Sequence, residues 1–187
     1  MVSRGGAAGH IDGCEEAKMV GTDPHVGHAP VTHPALGPLA RLVGTWRGDG
    51  EGAYPTIEPF TYREEVVFAH DGRPVLSYRQ RTWRSDSDEP MHAESGFLRG
   101  RIDGRAELVV AQPTGFGEVA TLVVEEDGDM LILDGGRSPL QRSPSARAVE
   151  DVRRRFRVVG DELHYDLWMT YAGNEDVHHL RALLRRV

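Results

Sequence analysis

The chain has 187 residues, a formal net charge of −7 and a single cysteine, Cys14. That length suits one domain, large enough to bury a core without covalent staples. The acidic balance argues against a general nucleic-acid binder, and one cysteine excludes a disulfide framework within the chain.

Residues 1–33 are rich in Gly, Ala, His and Pro and show no sustained hydrophobic period. They are expected to form a disordered N-terminal tail. His25, His28 and His33 follow no standard zinc spacing, and no second cysteine joins them. The first residues lack the apolar run of an export signal, and no stretch has the length of a membrane helix. A cytoplasmic protein without a membrane partner is expected.

The folded domain is expected over residues 34–187. It opens on a short helical segment with Leu36, Leu39 and Leu42 at helical spacing. GTWRGDG follows at residues 44–50, with Gly44, Gly48 and Gly50 around Trp46. Glycines on a first strand let the backbone bend and a wall approach closely, and a tryptophan there can plug one end of a barrel. The same residues also suit an ordinary core tryptophan beside a glycine bend.

Strand and turn signals then dominate. Asp71-Gly72, Asp103-Gly104, Asp127-Gly128 and Gly160-Asp161 each stand between runs rich in β-branched or aromatic residues, as in hairpins. VRRRFRV puts Val152, Arg154, Phe156 and Val158 on one face; ELHYDLWM puts Leu163, Tyr165, Leu167 and Met169 on one face. About ten strands follow one another too closely for crossover helices. The fold class is therefore all-β: an antiparallel β-barrel of about ten strands, with the short helical segment before the first. Such a barrel is wide enough to enclose a ligand cavity.

Several motifs are absent or unconvincing. There is no phosphate loop, nucleophile elbow or dinucleotide fingerprint. Arg153, Arg154 and Arg155 divide between two faces of a strand and make no nucleic-acid patch. Glu64, Glu65, Glu94 and Glu118 have no nucleophile placed near them; they are expected to satisfy interior polar groups or to face solvent.

The chain ends DVHHLRALLRRV. Adjacent residues on a strand point to opposite sides. Strict alternation groups His178 with Leu180, Ala182 and Leu184, and so turns His178 inward.

Beyond GTWRGDG, four further segments point to one family. They are Tyr54-Pro55-Thr56-Ile57 with Phe60-Thr61-Tyr62-Arg63-Glu64-Glu65, HAESGFLR at 92–99, AQPTGFGE at 111–118, and Met169 with His179-Leu180-x-Ala182-x-Leu184-x-Arg186. In this order they resemble the nitrobindin family of haem-binding β-barrels, from about Pro34 to Val187. The resemblance implies one haem b per subunit with His179 as the axial iron ligand, and Thr56 at the haem. Arg147 falls where related proteins carry a lysine, a departure that keeps a cation for a propionate. The implied activity is isomerisation of peroxynitrite to nitrate by ferric haem, with His179 as the catalytic residue, and reversible binding of nitric oxide. The implied partners are these small molecules, and a homodimer is compatible with the sequence. The alternative is a non-catalytic barrel that carries haem or another apolar ligand. The family motif favours His179 where alternation favours His178; a bulge beside them would reconcile the two.

Overall fold

The computed structural model describes residues 30–187. The tail expected over residues 1–33 falls almost wholly outside these residues, as do Cys14, His25 and His28.

The helical segment is a 3-10 helix, Pro34–Leu42. It is interrupted at Gly37, whose φ of 51° leaves the helical region, and Pro38 restarts it. Leu36, Leu39 and Leu42 are buried. The strands are β1 (Gly44–Tyr54), β2 (Ile57–Ala69), β3 (Val75–Arg84), β4 (Pro90–Gly100), β5 (Arg105–Gln112) and β6 (Phe116–Asp127). They continue as β7 (Met130–Gly135), the two-residue β8 (Ser138–Pro139) and β9 (Gln141–Arg142), then β10 (Val149–Val159), β11 (Glu162–Tyr171) and β12 (Asn174–Arg186).

The ten long strands form an antiparallel meander that closes on itself. Neighbours follow the order β11-β12-β1-β2-β3-β4-β5-β6-β7-β10, and β10 pairs with β11 to complete the ring. The first and last strands meet, with Trp46 opposite Arg186. Closure leaves the ring without a free edge.

Alternation sorts side chains as the sequence predicts. Val152, Phe156, Val158, Leu163, Tyr165 and Leu167 are buried, and their neighbours along the strands are more exposed. Gly48 is required by packing: a Cβ there would stand 2.1 Å from the carbonyl oxygen of Leu183 on β12.

The meander gives the two ends different characters. The four Asp-Gly and Gly-Asp turns all join strands at the end where the 3-10 helix lies, and Gly72, Gly104, Gly128 and Gly160 have positive φ there. Trp46 is fully buried near this end, and its Nε1 donates to the Leu42 carbonyl at 2.8 Å. Arg186 lies over its ring at 4.0 Å. The opposite end carries the Pro55-Thr56 turn, the connections after β3 and β5, the long connection between β7 and β10, and the Ala172-Gly173 turn. That end forms the mouth. Among the described residues, no helix is long and apolar enough to cross a membrane.

Candidate functional site

The pairing of β11 with β12 decides between the two histidines. Leu167 stands opposite Leu180, and the next residue, Trp168, stands opposite His178. His179 is the extra residue of a β-bulge, two residues on β12 against one step on β11. The bulge shifts the alternation, and His178 faces outward. Its Nε2 is 2.9 Å from Asp166 Oδ1, and its ring packs on Trp168 at 4.9 Å. Arg153 covers Trp168 at 3.7 Å. Strict alternation therefore fails at this pair, because one inserted residue reverses the phase.

His179 lines a cavity of about 230 Å³ that opens at the mouth. The upper wall includes Phe60, Met91, Phe116, Met169 and Leu180, and the floor includes Gln80, Glu94, Arg154 and Tyr165. A groove bounded by Ala53, Pro59, Phe60 and His179 continues outward. The His179 ring stands edge-on to Tyr54 at 5.5 Å and to Phe60 at 6.3 Å. Its Nδ1 donates to the Ala53 carbonyl at 2.9 Å. A carbonyl only accepts, so the proton of the neutral ring belongs on Nδ1 and the lone pair of Nε2 stays free. Burial lowers the pKa of His179, outweighing the Ala53 bond that raises it. The ring is thus a neutral imidazole of fixed tautomer, in the form that binds a metal.

Of the other expected site residues, Thr56 and Arg147 lie at the same end of the barrel. Thr56 is exposed in the two-residue turn between β1 and β2, and it does not line the cavity. Arg147 is exposed two residues before Val149, which does line it. Gly44, Trp46, Gly48 and Gly50 lie away from the cavity. Gly44 and Trp46 belong to the closed end, and Gly48 and Gly50 allow β1 to pass close to β12 and to Tyr62.

The cavity floor holds a charged network that the motif reading missed. Arg154 is 1 % exposed. Its Nη1 and Nη2 donate to Glu94 at 2.6 and 3.0 Å, its Nε to Glu118 at 2.8 Å, and Nη1 also to the Tyr165 hydroxyl at 2.8 Å. Tyr78 donates to Glu94 at 2.6 Å and Gln112 donates to it at 3.2 Å. Burial alone would raise the Glu94 carboxyl, but Arg154 and the hydrogen bonds outweigh it and hold Glu94 well below the usual carboxylate range. Glu118 is the reverse case: burial wins and raises it, and its Oε1 has no partner. The signal in the sequence was Arg154 itself. An arginine in phase with Val152 and Phe156 must point inward, and a buried guanidinium needs buried carboxylates.

Glu64 shares this interior. Gln80 donates to its Oε1, and its Oε2 has no partner. Burial pushes its pKa up to about 7, against the Gln80 bond, and the charge of Glu94 adds to the rise. The folded state therefore holds a proton that the unfolded state releases near pH 4.5. This contribution to stability falls as pH rises from about 4.5 to about 7. Glu64→Gln is expected to remove the fall, a gain over wild type of roughly 2–3 kcal/mol at pH 8. Urea denaturation of both proteins at pH 5 and pH 8 measures it; an equal difference at the two pH values contradicts it.

A closed antiparallel barrel whose partly apolar cavity receives an imidazole with Nδ1 engaged and Nε2 free has the layout of a ligand-holding barrel that can offer a nitrogen to a metal. Residues 35–186 match the family described as THAP4-like, heme-binding beta-barrel domain, and the chain belongs to that family. The cofactor of the family is haem, and the donor set fits it: one free imidazole nitrogen beside apolar walls. Over 160 residues the chain is 46 % identical to a protein of Nocardia farcinica named peroxynitrite isomerase, covering 82 % of this chain and 92 % of that one. It is 47 % identical to peroxynitrite isomerase 1 of Rhodococcus jostii, covering 84 % and 85 %. The crystal structure of Rv2717c from M. tuberculosis superposes with a TM-score of 0.80 at 41 % identity, covering 83 % of this chain and 99 % of that one.

Proposed function

We propose that this protein is a haem-dependent peroxynitrite isomerase that also binds nitric oxide reversibly. The observation that carries the reading is the bulge at His179. It turns a neutral imidazole to the cavity mouth with Nδ1 engaged and Nε2 free. The names of the similar proteins from Nocardia and Rhodococcus support the choice of substrate.

In this reading His179 would hold the iron of one haem b through Nε2, and the Ala53 carbonyl keeps the ring oriented. Ferric haem held there would supply the Lewis-acidic iron for rearrangement of peroxynitrite to nitrate, a change with no net electron transfer. Phe60, Phe116, Met169 and Leu180 keep water from the reacting side. Arg147 and Thr56 are exposed at the mouth end, and Arg147 would supply a cation to a haem propionate. Stopped-flow mixing of peroxynitrite with the haem-loaded ferric protein is the test. The expected result is faster decay, with nitrate as the product. Decay no faster than with the apo-protein overturns the reading.

Three further parts belong to the proposal. The match begins at residue 35, which supports taking residues 34–187 as the haem domain and residues 1–33 as a tail. A cytoplasmic location fits a chain with one cysteine. A homodimer is supported by a row of outward apolar side chains on β4, β5 and β6. Phe97 stands opposite Val109, and Val109 opposite Val119; they are 58 %, 45 % and 68 % exposed. Val119→Lys is expected to convert a dimer to a monomer in sedimentation velocity; a wild-type monomer at micromolar concentration refutes this part alone.

A further inference from the structure

His92 has no role in the reading above, yet it lies on the wall of the same cavity. It belongs to β4, and His179 belongs to β12. Around the ring these strands are separated by β1, β2 and β3 on one side, and by β5, β6, β7, β10 and β11 on the other. The two histidines therefore line the lumen from well-separated walls. A ligand attached to His179 would share the lumen with His92, whose side chain is part exposed there.

The surroundings of His92 define how its ring can work. Its Nε2 is 3.4 Å from Glu94 Oε2, and Glu94 is locked by Arg154, Tyr78 and Gln112. Thr82 on β3 is its cross-strand neighbour, and Tyr62 on β2, Arg154 on β10, Tyr165 on β11 and His179 on β12 are the other charged or titratable groups on the cavity wall. An ionised carboxylate only accepts, so Nε2 carries the proton that faces Glu94, and Nδ1 is the nitrogen with a lone pair. An imidazole with a carboxylate at Nε2 and no hydrogen-bond partner at Nδ1 among the described residues is arranged to take a proton, because the carboxylate stabilises the imidazolium that forms.

We propose that His92 is a proton acceptor for acids that bind at the open face of the haem, with Glu94 as its positioning residue. A ligand arrives as the neutral acid HX. Its proton passes to His92 Nδ1, X⁻ stays in the cavity, and the new Nδ1–H donates a hydrogen bond back to X⁻. Charge and protons balance, since HX and neutral His92 become X⁻ and the His92 imidazolium. In this way an acidic cavity admits the acid form of an anionic oxidant and retains the anion. The ion pair of Arg154 with Glu94 and Glu118 leaves no free cation on the floor to hold an anion directly. His179 does not compete for the proton, because its Nδ1 donates to the Ala53 carbonyl and its Nε2 is the nitrogen that would hold the iron.

This inference rests on haem binding at His179, and its test is separable from that reading. The probe is hydrogen cyanide, added to ferric haem-loaded protein near pH 7 and followed in the Soret band. A pH indicator in weak buffer counts the protons released. The wild type is expected to release well under one proton per cyanide bound, because His92 retains it. His92→Leu is expected to bind haem with an unchanged Soret band, to release a full proton, and to associate with cyanide roughly a hundredfold more slowly. His92→Gln, which keeps a donor but takes up no proton, is expected to behave like His92→Leu. Carbon monoxide binding to the ferrous form involves no proton and is expected to stay unchanged in both variants, which a general structural disturbance would not permit. A full proton released by the wild type overturns the proposal without any variant, as does an unchanged cyanide rate in His92→Leu. Failure of the wild type to take up haem overturns the reading of His179 instead.

Discussion

Haem titration of His179→Ala is expected to give a loss of affinity of roughly a hundredfold or more, with the ligated Soret band gone. Alanine removes the imidazole at the bulge, whose Nε2 is free, and the remaining apolar contacts would hold the macrocycle without holding the iron. His178→Ala is expected to leave the band unchanged. That side chain interacts with Asp166 and Trp168 on the outer surface, and the contact is partly exposed. Free imidazole added to the His179→Ala protein is expected to restore the band, since the variant leaves a ring-sized space at the mouth. If His178→Ala loses the band and His179→Ala keeps it, the assignment is reversed. If neither variant loses it, the iron has no ligand at this bulge.

The second large effect belongs to the cavity floor. Arg154→Met keeps much of the side-chain volume and removes the guanidinium that serves two buried carboxylates and the Tyr165 hydroxyl. Breaking a buried ion pair by deleting one partner costs about 3–5 kcal/mol. In a domain of this size that corresponds to a fall in melting temperature of about 10 °C. The pH dependence separates this loss from simple loss of packing. In the wild type Glu94 is held below its ordinary value, so its contribution is present above its unfolded pKa and is lost as pH falls through the lower folded value. Without Arg154, burial dominates at Glu94 and at Glu118, and both folded values lie above the unfolded ones. Each carboxyl then takes a proton on folding, and the variant is most stable on the acid side. The deficit is expected to be clearly smaller at pH 5 than at pH 8. A deficit of equal size at both pH values would mean that the arginine acts through its packing alone.

Much of this architecture is legible in the chain. The alternation in VRRRFRV and ELHYDLWM follows from the two-residue repeat of a strand, and the buried rows match it. The four Asp-Gly and Gly-Asp turns all fall at one end, because consecutive antiparallel hairpins point alternately up and down. The longer connections, and with them Thr56, Arg147 and His179, gather at the other end for the same reason. The resemblance of the motifs to nitrobindins selected His179, although alternation preferred its neighbour.

Other features depend on residues far apart in sequence. Arg154 reads as one member of an arginine run until β4 and β6 bring Glu94 and Glu118 against it. His92 reads as part of a family motif until the ring of strands sets it on the cavity wall with His179. Helical spacing announced the leucines before β1, but Gly37 and Pro38 make the segment a broken 3-10 helix.

The sequence by itself determined an antiparallel barrel of about ten strands and the inner rows of its regular strands. These are consequences of local period, turn chemistry and strand count. Only the tertiary structure decided which histidine faces the cavity. Register is a property of two strands, and the extra residue at His179 exists only relative to the single step from Leu167 to Trp168 across the sheet. The tautomer was likewise decided by an unpredicted partner, the Ala53 carbonyl, 126 residues away in the chain.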